Sequence, residues 1–360
     1  MDRDVSAYHF RSMKTLKVAV IGVGWIGSIR AHACAGHPIV ENLHLAEIRA
    51  DVAAEVGAAT RATRVTADYR ELLELDLDAV IVSTAPETTH YPIARDCLLA
   101  GKHVLLEKPM GLTLGEADDL IATARERNLK LMIGYSQRFN PKFAFLKQLI
   151  KEGKLGLPVT GLVSRHITRA IGAKIAGRGE LGPAQMEGTH DVDLMLWFLS
   201  GSKPTKVYAQ STGKVMRPAY GLPDCTWMIV TMDDDSVFTV GSNWNLPLET
   251  PGLSTTTIEF VGTDGAVFID DSHKDILVTS VDKGLQRPLA TMPGQQVGHV
   301  YQGPMEQETR HFLDCVAYDR PTLVTPEEAR AVMEVTLAAD LSADRGEAVR
   351  LPLVESHRRT

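Results

Sequence analysis

The stretch His103-Val104-Leu105-Leu106-Glu107-Lys108-Pro109-Met110 sets an acidic and a basic side chain together directly after a short apolar run. The run, bounded by Gly101 and Pro109, reads as a buried strand, and Pro109, with no N–H to give a sheet ladder, stops it. In an open α/β sheet, ligands bind outside the carboxyl ends of the strands. A lysine held there, partly desolvated, has its pKa lowered and exchanges protons near neutral pH. A second chemical cluster is Glu187-Gly188-Thr189-His190-Asp191-Val192-Asp193. On a helix, His190 and Asp193 share a face and Asp191 points elsewhere. A histidine beside a carboxylate is suited to acid–base work near neutral pH. Plainer roles exist for both clusters: Glu107 and Lys108 as surface charges after a strand, and Asp191 and Asp193 as carboxylates complementing a helix dipole.

These side chains need a frame, and the first half of the chain supplies one. Lys17 to Ile21 is a β-rich apolar run leading straight into Gly22-Val23-Gly24-Trp25-Ile26-Gly27, then a helical stretch from Ser28 to Ala35 closed by Gly36 and Pro38. In this strand–turn–helix context the first glycine permits the tight turn. The second lets the backbone approach a pyrophosphate, and the third lets helix and strand pack closely. The next strand, Leu43 to Ala46, ends at Glu47, placed to accept hydrogen bonds from the adenosine ribose and to repel a 2′-phosphate. That favours NAD over NADP, although Arg49 offers a charge that suits the phosphate. Glu47 also fits a helix-start carboxylate.

The alternation continues to about residue 135. Asp68-Tyr69-Arg70-Glu71 has capping-box spacing, and Asp78 to Ser83 is a buried strand running into Thr84-Ala85-Pro86-Glu87-Thr88-Thr89-His90 and a helix ending at Gly101. The Glu107–Lys108 strand follows. Thr113 to Glu116 is a second capping box opening a helix to about Arg127, and Leu131 to Tyr135 is the last strand of this half. Strands alternating with helices predict a doubly wound parallel sheet over residues 14–135.

From residue 136 the pattern changes. Ser136 to Pro141 is a turn-rich junction, followed by an amphipathic helix to about Glu152. Strand-like runs then succeed one another: Val159–His166, Thr205–Ser211, Cys225–Met232, Val237–Asn245, Thr256–Val261, Ala266–Ile269 and Ile276–Thr279. Gly, Pro, Asp and Asn separate them, which predicts a largely antiparallel sheet interrupted by the His190 helix. Two helices close the chain, one from about Met305 to Val316 and one after Thr325-Pro326-Glu327-Glu328.

The bulk numbers narrow the function classes. The chain has 360 residues, enough for two cores. Its net charge of −7 argues against nucleic-acid binding, which rests on basic surface. No run is apolar over the ~18 residues a membrane span needs. Cys34, Cys97, Cys225 and Cys315 are far apart and read as free thiols of a reducing, cytoplasmic compartment. Residues 1–13 are polar and lack the apolar core of a signal peptide; they read as a flexible extension, leaving 14–135 and 136–360 as the two domains. No metal-ligand spacing and no serine- or cysteine-nucleophile signature stands out.

Taken together, GVGWIG, Pro86 to His90, GKHVLLEKP, YSQRFNP and GTHDVDLMLWF resemble the Gfo/Idh/MocA oxidoreductases, in order, from about Lys17 to Leu351. The resemblance implies a Rossmann domain followed by an α/β domain with a large, open-faced, mostly antiparallel sheet that mediates homodimers or homotetramers. It implies NAD at the interdomain cleft, with Lys108 hydrogen-bonded to the hydroxyl being oxidised and His190 as its partner in proton transfer. Glu107, Pro86, Thr88 and His90, with Thr84, would line the nicotinamide end, and Arg138 the junction near it. Inositol-dehydrogenase-like members carry an Asp four residues before the His; here that position is Met186, and Glu187 follows it. If that segment is helical, Glu187 at i−3 faces His190; if not, the chemistry runs on Lys108 and His190 alone.

The activity so implied is hydride transfer from a secondary C–H of a cyclic polyol or sugar to NAD, with a protein group taking the hydroxyl proton. Arg165, His166, Arg169, Lys174 and Arg178 read as a basic loop, either solvated and oligomer-facing or a site for an acidic substrate such as a sugar acid, a nucleotide sugar or a carboxylated dihydrodiol. Trp244 reads as a platform for a sugar ring or as core. Two further classes exist among such proteins: NAD-dependent glycosidases that recycle a bound cofactor, and non-catalytic NAD-binding sensors, which tend to lose the lysine that this chain keeps.

Overall fold

The computed structural model describes residues 14–272, 276–287, 295–297 and 300–353. The extension expected over residues 1–13 lies outside the described residues. Six strands form the first sheet: β1 (Leu16–Ile21), β2 (Val40–Ala46), β3 (Arg64–Thr66), β4 (Ala79–Val82), β5 (His103–Leu106) and β6 (Leu131–Ile133). They are all parallel and run in the order β3-β2-β1-β4-β5-β6, which is the dinucleotide-binding order with its switch point between β1 and β4. The central strands are apolar on both faces, Val80, Ile81, Val104 and Leu105 being wholly buried, because helices cover both sides.

Those helices are α1 (Trp25–Ala35), α2 (Ala50–Thr60), α3 (Arg70–Leu73), α4 (His90–Leu99) and α5 (Leu114–Glu126). Thr113 and Glu116 close the expected capping box on α5. The box expected at Asp68 does not form. Asp68 accepts from the Arg70 amide across a turn, and Glu71 pairs instead with Arg64, a stronger partner than a backbone N–H.

The second domain carries α6 (Pro141–Lys151), β7 (Pro158–Thr168), α7 (Arg169–Ala176), α8 (Pro183–Met186), α9 (Gly188–Phe198), β8 (Pro204–Thr212), α10 (Met216–Tyr220), β9 (Cys225–Met232), β10 (Val237–Leu246), β11 (Ser254–Gly262) and β12 (Ala266–Asp270). Two short pairs follow, β13 (Val278–Ser280) with β14 (Gly284–Gln286) and β15 (Gln295–Val297) with β16 (Val300–Gln302). The chain closes with α11 (Pro304–Ala317), α12 (Pro326–Arg345) and β17 (Val349–Arg350).

The large sheet runs β12-β11-β7-β10-β9-β8-β17. Its pairs are antiparallel except for β7 with β10, which are parallel at its centre. The sheet is therefore mixed, because the long crossover between β7 and β10 returns the chain in the same sense. The run expected at Ile276–Thr279 becomes β13, which pairs with β14 and not with the large sheet. Alternation along the strands turns Val207, Met228, Val230, Phe238 and Phe260 inward, where α9 and α12 pack over them. The other face leaves Tyr208, Trp227, Ile229 and Phe268 exposed. Among the described residues no helix is long and apolar enough to cross a membrane.

Candidate functional site

The glycine turn sits between β1 and α1, at the switch point. Gly22 has φ +79°, and a Cβ there would come 2.7 Å from the Ser83 carbonyl oxygen. A Cβ on Gly27 would lie 1.8 Å from the Gly22 oxygen, so this turn admits no side chain at either place. Gly24 is different. A Cβ there would meet only the Arg49 guanidinium, at 3.3 Å, and Gly24 caps α1 without any side-chain hydrogen bond. No side chain caps the first turn of α1, so its leading amides stand beside the bare backbone at Gly24, which fits a pyrophosphate. Trp25 itself is exposed and Ile26 half-buried.

Glu47 lies at the end of β2 and reaches back to this turn. Its Oε2 accepts from the Val23 amide at 2.9 Å, while Oε1 accepts from Arg49 Nε at 3.0 Å. Burial pushes this carboxyl up, but Arg49 and the backbone donors outweigh it, so the net shift is downward and the carboxylate is ionised. Glu47 is thus an ionised acceptor beside the glycine turn. Arg49 is committed to Glu47, which lessens its availability for a 2′-phosphate.

After β4, Thr84 Oγ1 and Thr89 Oγ1 are 2.6 Å apart, and Pro86 and Thr88 are exposed at the rim. His90 does not line the cleft. It is buried, with Nδ1 at 2.7 Å from the Pro109 carbonyl and Nε2 at 3.0 Å from that of Thr84, so it braces the two strand-end loops against each other.

At the end of β5, Lys108 Nζ donates to the Met186 carbonyl at 2.8 Å, reaching from the first domain to the segment that opens α9. His190 stands in the first turn of α9, its amide donating to Glu187 O and its ring edge-on to Tyr135 at 6.2 Å. The Tyr135 hydroxyl lies 2.8 Å from Thr189 Oγ1, which fixes that ring. Burial, then the Lys108 and Arg165 charges, push the imidazole well below its usual range, so it is neutral at pH 7, with Nδ1 buried and unpartnered. Glu187 caps α9 and sits in the same field. Burial raises its carboxyl, and Lys108 and Arg165 oppose that.

Several expected site residues take other roles. Asp193 does not face His190: Arg138 binds it in a fork, Nη2 to Oδ1 at 2.6 Å and Nε to Oδ2 at 3.0 Å, with both side chains buried. Arg138 also donates to Leu323 O and Glu328, so it pins α9 to the start of α12 rather than opening onto the junction. The basic loop is in fact β7, α7 and the turn after it, and two of its charges are matched by carboxylates. Arg165 forks onto buried Asp191, Arg178 pairs with Glu87 at 3.1 Å, and Arg169 donates to Asn245. Trp244 is 0% exposed and packs with Ile167, Ile175, Met216 and Leu222, so the larger apolar surface decides for core over a sugar platform. The four cysteines are free.

Sequence reasoning missed Arg30. It is 1% exposed on α1, donating from Nε to Glu107 Oε1 at 2.6 Å, from Nη2 to Glu308 at 2.7 Å and from Nη1 to Thr309 at 3.1 Å. The signal was a lone arginine inside the small, apolar run from Gly27 to Ala35.

Two family models match this chain. That of the oxidoreductase family with an NAD-binding Rossmann fold covers residues 16–135, and that of the GFO/IDH/MocA C-terminal domain covers residues 143–268. The chain is 33% identical to UDP-N-acetylglucosamine 3-dehydrogenase of Acidithiobacillus ferrooxidans, over 91% of this chain and 97% of that one. It is 24% identical to myo-inositol 2-dehydrogenase of Thermotoga maritima, over 93% and 98%. The crystal structure of GenD2 from gentamicin A biosynthesis, in complex with NAD, superposes with a TM-score of 0.81 at 28% identity, over 94% of this chain and 97% of that one.

Proposed function

The chain belongs to the Gfo/Idh/MocA oxidoreductase family, NAD-dependent enzymes acting on CH–OH groups, and on that premise we propose that it oxidises a secondary hydroxyl of a cyclic polyol or sugar, with Lys108 and His190 handling the proton. The observation that carries this reading is the hydrogen bond from Lys108 Nζ to Met186 O. It brings the lysine of the first domain to the start of the helix that bears a neutral His190. Gly22, Gly24, Gly27 and Glu47 would hold NAD, which would supply the hydride acceptor. Lys108 Nζ binds the substrate hydroxyl oxygen and orients its C–H. The hydroxyl proton passes to the Lys108–His190 pair, which spares the substrate a cationic intermediate. Glu187, two residues before Thr189, takes the place of the acid absent at Met186 and balances the charge the pair acquires.

A neutral polyol or sugar is favoured over an acidic substrate because Arg165 and Arg178 already have Asp191 and Glu87 as counter-ions. Two copies covering the exposed Tyr208, Trp227, Ile229 and Phe268 would make the large sheet the interface of a homodimer or homotetramer, in the cytoplasm. Light scattering on wild type and Trp227→Glu tests this; a monomeric wild type would reject it.

The decisive experiment follows reduced-nicotinamide absorbance with NAD or NADP and a panel of inositols, aldoses, sugar acids and dihydrodiols. Turnover of a neutral polyol with NAD that falls roughly 10²- to 10⁴-fold in Lys108→Ala, with NAD binding retained, is the expected result. Turnover of acidic compounds alone would overturn the substrate class. No turnover of any compound, with NAD released only on denaturation, would replace the dehydrogenase by a cofactor-recycling glycosidase or a sensor.

A further inference from the structure

Glu107 precedes Lys108 in the chain, yet its carboxylate is bound into a largely buried ion cluster. One guanidinium, Arg30, serves two carboxylates there, Glu107 from the end of β5 and Glu308 from α11. Glu308 is 0% exposed, and only its Oε2 is engaged; Oε1 is buried and has no hydrogen-bond partner. With both carboxylates ionised the cluster carries one net negative charge, one residue from the amine proposed to receive a proton.

We propose that Arg30, Glu107 and Glu308 form a positioning cluster for Lys108, in which the charge on Glu308 stabilises positive charge gained by the Lys108–His190 pair. The inference rests on the dehydrogenase reading for its kinetic part. Its physical basis is preorganised charge in a water-poor site: a negative cluster one residue along the chain favours a transition state in which the Lys108 amine becomes more positive. The geometry also joins three elements. Arg30 fixes the strand-end dipeptide to α1, which carries the glycine turn, and to α11 of the second domain.

The groups facing Glu308 are Arg30 from α1, Glu107 from the end of β5, and Asp193 from α9, itself bound by Arg138; Thr309 on its own helix shares Arg30. Burial is the main reason its carboxyl is pushed up to about 7, with Glu107 and Asp193 adding to the rise and Arg30 opposing it. The cluster therefore passes from net neutral to net negative across the neutral range.

The test uses Glu308→Gln, which keeps an oxygen for Arg30 Nη2 and cannot ionise. Arg30→Lys serves as the conservative variant, since Arg30→Met strands two carboxylates and need not fold. At pH 8.5 the Gln variant should lower kcat roughly five-fold with an unchanged substrate KM, and at pH 5.5 it should match wild type, where Glu308 is protonated. A second readout needs no turnover. The oxidised nicotinamide ring is cationic and the reduced ring neutral, so calorimetric Kd values should shift roughly two-fold toward NADH over NAD at pH 8.5 and not at 5.5. Arg30→Lys, which retains the charge, should keep the wild-type pH dependence. A ratio of variant to wild type that is flat with pH in both readouts overturns the proposal. If no substrate turns over, the dehydrogenase reading fails, and the cofactor ratio still decides the role of the cluster.

Discussion

Replacing Arg138 by Met should expose how much the second domain relies on one buried cation. The guanidinium makes a two-pronged contact with Asp193, donates to Leu323 O and Glu328, and stacks 5.5 Å from the Trp197 ring centre. Asp193 is 0% exposed, so the variant leaves a carboxylate with neither water nor counter-ion. Removing one partner of such a pair costs about 3–5 kcal/mol. At about 2–4 °C per kcal/mol for a domain of this size, the melting temperature should fall by about 6–20 °C. Glu328 suffers less: its side chain is 40% exposed, and it keeps its capping bonds to Thr325. The discriminating control is Arg138→Met with Asp193→Leu. An apolar pair of similar bulk removes the stranded charge and should return to within about 2 kcal/mol of wild type. Scanning fluorimetry reads all of these. A drop below about 3 °C in Arg138→Met, or a double variant no better than the single one, would refute the reasoning, because the cost would then not come from the stranded Asp193.

Gly27→Ala should abolish NAD binding by calorimetry and destabilise the fold, since its Cβ would meet the Gly22 oxygen at 1.8 Å; Gly24→Ala, opposed only by a flexible arginine at 3.3 Å, should fold normally and weaken NAD binding alone. Acid should destabilise the protein beginning near pH 6.5. Burial is the largest cause lowering the pKa of His37, His44, His103, His166, His190 and His311. Below pH 6.5 these six imidazoles bind more protons in the unfolded chain than in the native one, outnumbering Glu308, whose raised carboxyl takes its proton in the native state and acts the other way, so stability present above that pH is lost beneath it. Melting temperatures from pH 8 to 5 that stay flat would contradict this.

The parts of the fold legible in the sequence are those whose signals are local. β1, β4 and β5 are apolar runs bounded by Gly or Pro, and the glycine turn, the α5 and α12 caps and α9 each announce themselves within a few residues. β3 was hidden because an edge strand of three residues, two of them exposed, has no apolar signature. α7 and α8 were hidden in a stretch whose glycines and charges read as a loop. The parallel pairing of β7 with β10 was not legible either, since alternation fixes faces and not direction. At the site, the sequence proposes Lys108, His190 and the glycines. What they would be bonded to is not legible there: Arg30 meets Glu308 across 278 residues, and Asp193 meets Arg138 across 55. Such partners follow from the packing of whole elements, which is why spacing set Asp193 beside His190 and could not choose between a substrate and a structural role for Arg165 and Trp244.

The contact between Lys108 Nζ and the Met186 carbonyl also governs direction. A primary amine at the end of four methylenes is a loose pointer, free to sweep a wide cone. One hydrogen anchored on a main-chain oxygen 2.8 Å away removes most of that sweep and aims the remaining valences of the nitrogen. Because the anchor belongs to the other domain, the aim depends on the angle between the two halves. A few degrees of hinge movement would turn the nitrogen without moving the lysine's own backbone, so under the proposed role of Lys108 the spacing of the domains sets where it aims.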